Sequence, residues 1–202
     1  MNAILCTDRN HPVWPKLRLF CVAVGFQLAN SVEELKGGKY LFLVSCTERI
    51  SAEVRAKYRR AFVLHESALP KGRGWSPLAH QILDGKTRIT VSLIEAVDEI
   101  DAGAIWARKT VFIPDYLLAK EISDAVFLVK AQLILKAAWL GGHPRKQEGE
   151  PTYYKRRTPE DCELDPNKTI AEQFDLLRIC EPRYPAFFNH RGHKYVLEVR
   201  RA

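Results

Sequence analysis

The chain predicts an α/β fold, a Rossmann-like, doubly wound mixed sheet flanked by helices with a small C-terminal α+β appendage, and three observations carry that expectation. Short apolar runs at residues 2–6, 26–29, 40–44 and 61–64 have the length and composition of buried strands and alternate with helical patterns. Residues 88–95, Arg-Ile-Thr-Val-Ser-Leu-Ile-Glu, alternate with period 2 and read as a half-buried strand. A length of 202 residues with 47% hydrophobic content supports one sizeable core with an appendage better than two full domains.

Taken in order, residues 2–6 suit the first, central strand. The loop Thr7-Asp8-Arg9-Asn10-His11-Pro12 opens a helix, in which Leu17, Phe20, Cys21 and Val24 repeat at helical spacing until Gly25 stops it. That loop lacks the glycines with which a Gly-rich loop brings backbone amides onto a phosphate. Residues 26–29 follow as a second strand, Ser31 caps a short helix over 32–35, and Gly37-Gly38 ends it. The third strand, 40–44, leads through Ser45-Cys46-Thr47-Glu48-Arg49-Ile50 into a helix over 51–58.

Residues 61–64 form the next strand and deliver His65 to its carboxyl end, where open α/β sheets place their chemistry. Pro70, Gly72, Gly74 and Pro77 then make a rigid loop, and a short helix over 78–83 ends at Asp84-Gly85. After the strand 88–95, Asp98, Glu99 and Asp101 sit on a tight turn with Gly103, and 104–113 pairs back as a second strand. Residues 116–140 form a long helix whose stripe of Leu117, Leu118, Ile122, Val126, Val129, Leu133 and Ala137 covers the sheet. Gly141-Gly142-His143-Pro144 breaks it, and the polar stretch 145–165 reads as a linker or lid. An amphipathic helix over 170–179, an apolar plug at 184–188 and a last strand over 194–199 complete the chain, dividing it into a catalytic domain, 1–143, and a linker with small subdomain, 144–202.

The net charge of +7 suggests an anionic partner, whether nucleic acid, a nucleotide diphosphate or a polyglutamyl tail, and is equally compatible with a solvated basic surface. No apolar run approaches the roughly 18 residues of a membrane span, so a cytoplasmic protein without a membrane partner is expected. Five cysteines without a C-x-x-C pair read as free thiols in a reducing compartment. Cys162, Cys180, His190 and His193 could be gathered around zinc, but neither cysteine has a near partner and no metal is expected.

His65-x-Ser67-x-Leu69-Pro70, the glycine loop after it, and Ile100-Asp101-x-Gly103, with His65 and Asp101 36 positions apart, resemble the folate-dependent formyltransferases. The wording Leu-Pro-Lys-Gly-Arg-Gly-Trp-Ser-Pro and the tail Leu-Asp-Pro-Asn are similar to the compact nucleotide-linked amino-sugar N-formyltransferases. The resemblance implies transfer of the formyl group of N10-formyltetrahydrofolate to the amine of a nucleotide-linked deoxyamino sugar bound for a surface glycan. His65 and Asp101 are then catalytic, handling proton transfer and the tetrahedral intermediate. Cys46, Thr47, Glu48, Ile50, Val97, Asp98 and Ile100 line the folate, and Ser67, Lys71, Arg73 and Trp75 face the acceptor. Ser67 is also expected to hydrogen-bond locally and hold its loop. One departure stands out: the family carries an asparagine two residues before the histidine, where this chain has Val63. Asn10, a backbone amide or His65 itself is left to supply that donor. The alternatives are a methionyl-tRNA formyltransferase-like or formyltetrahydrofolate hydrolase activity, or a non-catalytic polyanion-binding module. Nucleic acid is not the expected partner, and a homodimer is left open.

Overall fold

A computed structural model describes residues 1–202. Six strands form one sheet: β1 (Asn2–Leu5), β2 (Gln27–Ala29), β3 (Gly38–Leu43), β4 (Tyr58–His65), and, after a two-residue strand β5 (Arg73–Gly74), β6 (Arg88–Glu95) and β7 (Ile105–Phe112). Their order is β2-β1-β3-β4-β6-β7, with the first four parallel and β6 and β7 antiparallel to their neighbours. The sheet is therefore mixed and doubly wound, as the alternation of apolar runs and helical patterns predicts.

Helices α1 (Trp14–Val24), α2 (Ala52–Ala56), α3 (Pro77–Leu83) and α4 (Ala119–Leu135) surround it. Gly25 ends α1 in the left-handed conformation, φ 70°, which a glycine adopts without a Cβ penalty. The period-2 alternation of β4 divides its side chains between two cores. Phe62 and Leu64 enter the cluster under α1 and α4, where Phe62 stacks on Phe42 with ring centroids 5.5 Å apart and meets Trp106 edge-on at 5.1 Å. Ala61 and Val63 face the smaller cluster on the opposite side with Leu5, Leu41 and Leu43. Burying a phenylalanine of this kind contributes about 1.5–3 kcal/mol.

Three expectations are corrected. The helix over 51–58 is only Ala52–Ala56, because Tyr58 already pairs with Gly38 of β3; β4 thus begins three residues before its apolar run, and Arg59 and Arg60 stay exposed. The long helix is α only through Leu135 and widens into a π turn, Lys136–Leu140. The plug at 184–188 is the start of strand β9 (Ala186–His190), preceded by β8 (Tyr153–Tyr154) and α5 (Phe174–Ile179) and hairpin-paired with β10 (His193–Leu197); only Ala186 and Phe187 are buried.

The stretch read as a linker or lid is stitched to the body of the protein. Arg145 and Ile105 exchange both backbone hydrogen bonds at 2.8 Å, and β8 pairs in parallel with β5. Thr152 accepts from Arg73 N through its carbonyl and from Gly72 N through its hydroxyl, each at 2.8 Å. Tyr154 stacks on His80 of α3 at 4.6 Å. No helix is long and apolar enough to cross a membrane.

Candidate active site

At the carboxyl ends of β3 and β4, beside the segment that follows β6, lies a cleft of 510 Å3 that extends between α3 and α4. His65 reaches it as the last residue of β4, 5% exposed, and Asp101 reaches it from the β6–β7 turn. The turn is shaped by two features. Asp101 itself is left-handed, φ 52°, and Gly103 follows where a Cβ would lie 1.8 Å from the Glu95 carbonyl oxygen, so no side chain fits. The result brings Asp101 Oδ2 to 3.5 Å from His65 Nδ1, while the same oxygen accepts a hydrogen bond from Gly74 N at 2.9 Å.

The other imidazole nitrogen, Nε2, lies 2.7 Å from the Gly72 carbonyl. A carbonyl can only accept, so Nε2 carries the hydrogen in this arrangement. Nδ1 is then left with its lone pair toward the Asp101 carboxylate. The glycine loop is therefore functional as backbone: Gly72 sets the tautomer of His65 and Gly74 anchors Asp101. Gln147 holds the turn from the stitched segment, donating through Nε2 to the carbonyls of Asp101 at 2.6 Å and Gly103 at 2.8 Å.

One wall of the cleft carries Cys46, Thr47, Glu48 and Ile50 from the β3–α2 loop and Val97, Asp98 and Ile100 from the β6–β7 turn. Val97 and Ile100 are 42% and 55% exposed, an uncovered apolar surface above the buried Ile50. Arg55 pairs with Asp98 at 2.6 Å, and its hydrogen bond and charge hold that carboxyl below the usual range. Burial pushes the Cys46 thiol up to about 12, so it remains protonated and donates to the Leu5 carbonyl at 3.0 Å; it is no nucleophile.

The opposite wall was not legible in the sequence. The alternation that turns His65 to one face sends Glu66 to the other, where it forms a close ion pair with Lys130 of α4. Burial alone would raise the Glu66 pKa, but the charge and hydrogen bond of Lys130, assisted by His65, outweigh it and lower it. Lys130 stands four residues after Val126 on the apolar stripe of α4, and a lysine on a buried face was the one available signal. His11 lines this wall too, as does Glu181, whose burial raises its pKa against the opposing charge of Arg183.

Of the residues expected to face the acceptor, Trp75 lines the cleft, with the Arg156 guanidinium 4.8 Å above its ring. The other three do not. Arg73 is 7% exposed, is not part of the lining, and is bound by Glu99 at 2.7 Å and by Gln147 at 3.0 Å. Lys71 is exposed outside the cleft. Ser67 lies beneath it, 1% exposed, and its loop is held by Ser92 Oγ donating to the Ser67 carbonyl at 2.7 Å, while the Ser67 hydroxyl has no partner. Asn10 is exposed and absent from the lining; its neighbour His11 is there instead, and Val63 contributes an apolar side chain.

The fold is one that solved formyltransferases share. Over its whole length the chain superposes on a methionyl-tRNA formyltransferase from Clostridium thermocellum, with a TM-score of 0.85 and 23% identity, covering 98% of this chain and 92% of that one. A sugar N-formyltransferase from Shewanella superposes with a TM-score of 0.68 and 16% identity, covering 98% and 97%. HypX from Aquifex aeolicus in complex with tetrahydrofolic acid gives 0.74 and 20%, covering 98% of this chain and 37% of that one. No family model matches the chain. In sequence, a curated methionyl-tRNA formyltransferase from Fusobacterium nucleatum is 32% identical over 134 residues, 64% of this chain and 43% of that protein. The formyltransferase family fits the chain in fold and in sequence, and the chain spans less than half the length of this curated relative.

Proposed function

We propose that the protein transfers the formyl group of N10-formyltetrahydrofolate to the amine of a nucleotide-linked deoxyamino sugar. The observation that carries this reading is the His65–Asp101 pair, 3.5 Å apart and set by backbone groups of the glycine loop in one cleft with an uncovered apolar wall. Val97, Ile100 and Ile50 fit a flat pterin ring, and Arg49, exposed at the cleft, suits a glutamate tail. The folate supplies the formyl group; the chain supplies orientation and proton handling. As the acceptor amine adds to the formyl carbon, the nitrogen becomes cationic and loses one proton. His65 Nδ1 takes it, with Asp101 offsetting the imidazolium charge, and returns it to the departing folate nitrogen. Supporting the sugar acceptor are the motif wording of the glycine loop and the superposition on a sugar N-formyltransferase over both full lengths. In this reading residues 1–143 form the catalytic domain and the remainder a linker and small subdomain, of which the segment through Tyr154 braces the site.

A second reading, formylation of methionyl-tRNA, is favoured by the curated relative and by the methionyl-tRNA formyltransferase superposing over 92% of its chain. One experiment separates them. Tetrahydrofolate release from N10-formyltetrahydrofolate is measured with UDP- and dTDP-linked amino sugars, with methionyl-tRNA and with no acceptor. The sugar reading predicts release with one sugar nucleotide and its loss in His65→Ala and Asp101→Ala by about 10²- to 10⁴-fold, the usual weight of general acid–base groups. Release with methionyl-tRNA alone would transfer the assignment to that acceptor, and release with no acceptor would make the protein a hydrolase.

A further inference from the structure

The wall formed by His11, Glu66, Lys130 and Glu181 makes no hydrogen bond to His65 or Asp101, yet it lines the same cleft. Its cations are all paired. Lys130 is bound by Glu66, and Arg183 behind it by Asp8 and Glu181. In a chain of net charge +7, the cleft is lined by seven carboxylates against three arginines and lysines. The basic charge therefore lies elsewhere.

His11 is the exception among these groups, because it offers an unused donor. Its Nδ1 accepts from Val13 N at 3.1 Å, which leaves the hydrogen on Nε2. No protein group accepts that hydrogen, and the side chain faces the cleft. Burial first, then the charges of Lys130 and Arg183, lower its pKa to about 4 against the opposing pull of Asp8 and Glu66, so the ring is neutral at physiological pH. A neutral N–H beside neutralised cations attracts a hydroxyl or ether oxygen and has no charge to offer a phosphate.

We propose that this wall is the acceptor-recognition surface and takes an uncharged, hydroxyl-bearing ring beside the reacting amine, with His11 Nε2–H donating to a ring oxygen and phosphate excluded. This rests on the reading of the cleft as a formyl-transfer site. The phosphates of a nucleotide-linked acceptor then lie at the mouth, near Trp75 and the exposed Arg156, which has no carboxylate partner.

The test uses the full chain with 15N-labelled histidine and two probes, a methyl glycoside of a 4-amino-4,6-dideoxyhexose and inorganic phosphate. Each is titrated into protein saturated with the stable analogue 5-formyltetrahydrofolate. The expected result is that the amino sugar shifts the His11 Nε2 resonance saturably. Its Kd rises at least tenfold in His11→Phe and stays within threefold in His11→Asn, which keeps a donor, and phosphate shifts nothing in His11. Saturable displacement of the amino sugar by phosphate, equal amino-sugar affinity in wild type and His11→Phe, or no amino-sugar binding to the folate-loaded protein would each overturn the proposal. Failure of 5-formyltetrahydrofolate to bind would instead sink the formyl-transfer reading, and thermal melts of both variants separate lost recognition from lost fold.

Discussion

The two walls of the cleft are built on opposite physical terms. The wall of Cys46–Ile50 and Val97–Ile100 consists of loop backbone with exposed apolar side chains, tied down by surface contacts such as Arg55–Asp98, whose aspartate is 73% exposed. The wall of His11, Glu66 and Lys130 consists of charged and polar groups, and its buried ion pair is tolerable only because each partner has the other. The first wall can lose a side chain at little cost to folding. The second cannot lose one charge without stranding another.

The largest effect that comparison predicts is at Lys130. Lys130→Met leaves Glu66 buried without a cation and is expected to cost about 3–5 kcal/mol in urea unfolding, with most of it restored by the double variant Lys130→Met with Glu66→Gln. The same pair predicts a pH dependence. Because the Glu66 pKa is lower in the folded than in the unfolded state, its stabilisation is present above the unfolded value near 4.5 and fades as pH falls through the folded one; the double variant should lack that slope. Equal stability of wild type and Lys130→Met at pH 7 would mean that the two walls do not differ in this way.

A smaller effect is expected at His11, and its sign is fixed by the depressed pKa. Between pH 6.5 and about 4 the unfolded chain binds a proton at this residue that the folded chain refuses. Wild type should therefore lose stability relative to His11→Asn as pH falls through that window, and match or exceed it above pH 7. Denaturant midpoints across the range measure this. A difference that does not change with pH would place the His11 ring in water.

The smallest effect on stability is expected on the other wall. Ile100→Ser, at a position 55% exposed, should change unfolding free energy by no more than about 0.5 kcal/mol. If that wall holds the pterin, the same substitution weakens 5-formyltetrahydrofolate binding about tenfold, read by calorimetry. Loss of stability without loss of folate affinity would reverse the contrast between the walls.

Much of the first wall and little of the second can be read from the chain. The loops after β3 and β6 follow apolar strands whose ends are local signals, and the motif residues His65 and Asp101 stand beside glycines that announce tight geometry. Lys130 and His11 carry no such neighbours. Each is ordinary in its own window, a lysine in a helix and a histidine in a loop, and becomes informative only when α4 and the loop after β1 converge on the end of β4. Arg73 shows the reverse error. Its place in the glycine loop suggested an acceptor contact, but the guanidinium is taken up by Glu99 and Gln147 and does not itself line the cleft.

The sequence by itself determined the strand–helix alternation, the position of His65 at a strand end and the turn that presents Asp101, because periodicity and glycine placement act over a few residues. Tertiary structure alone decided that 145–154 braces the site rather than hanging free, that Lys130 neutralises Glu66, and that His11 turns an unpaired N–H into the cleft. Those outcomes depend on partners tens of residues apart, and a hydrophobic pattern specifies which face is buried without specifying what meets it there.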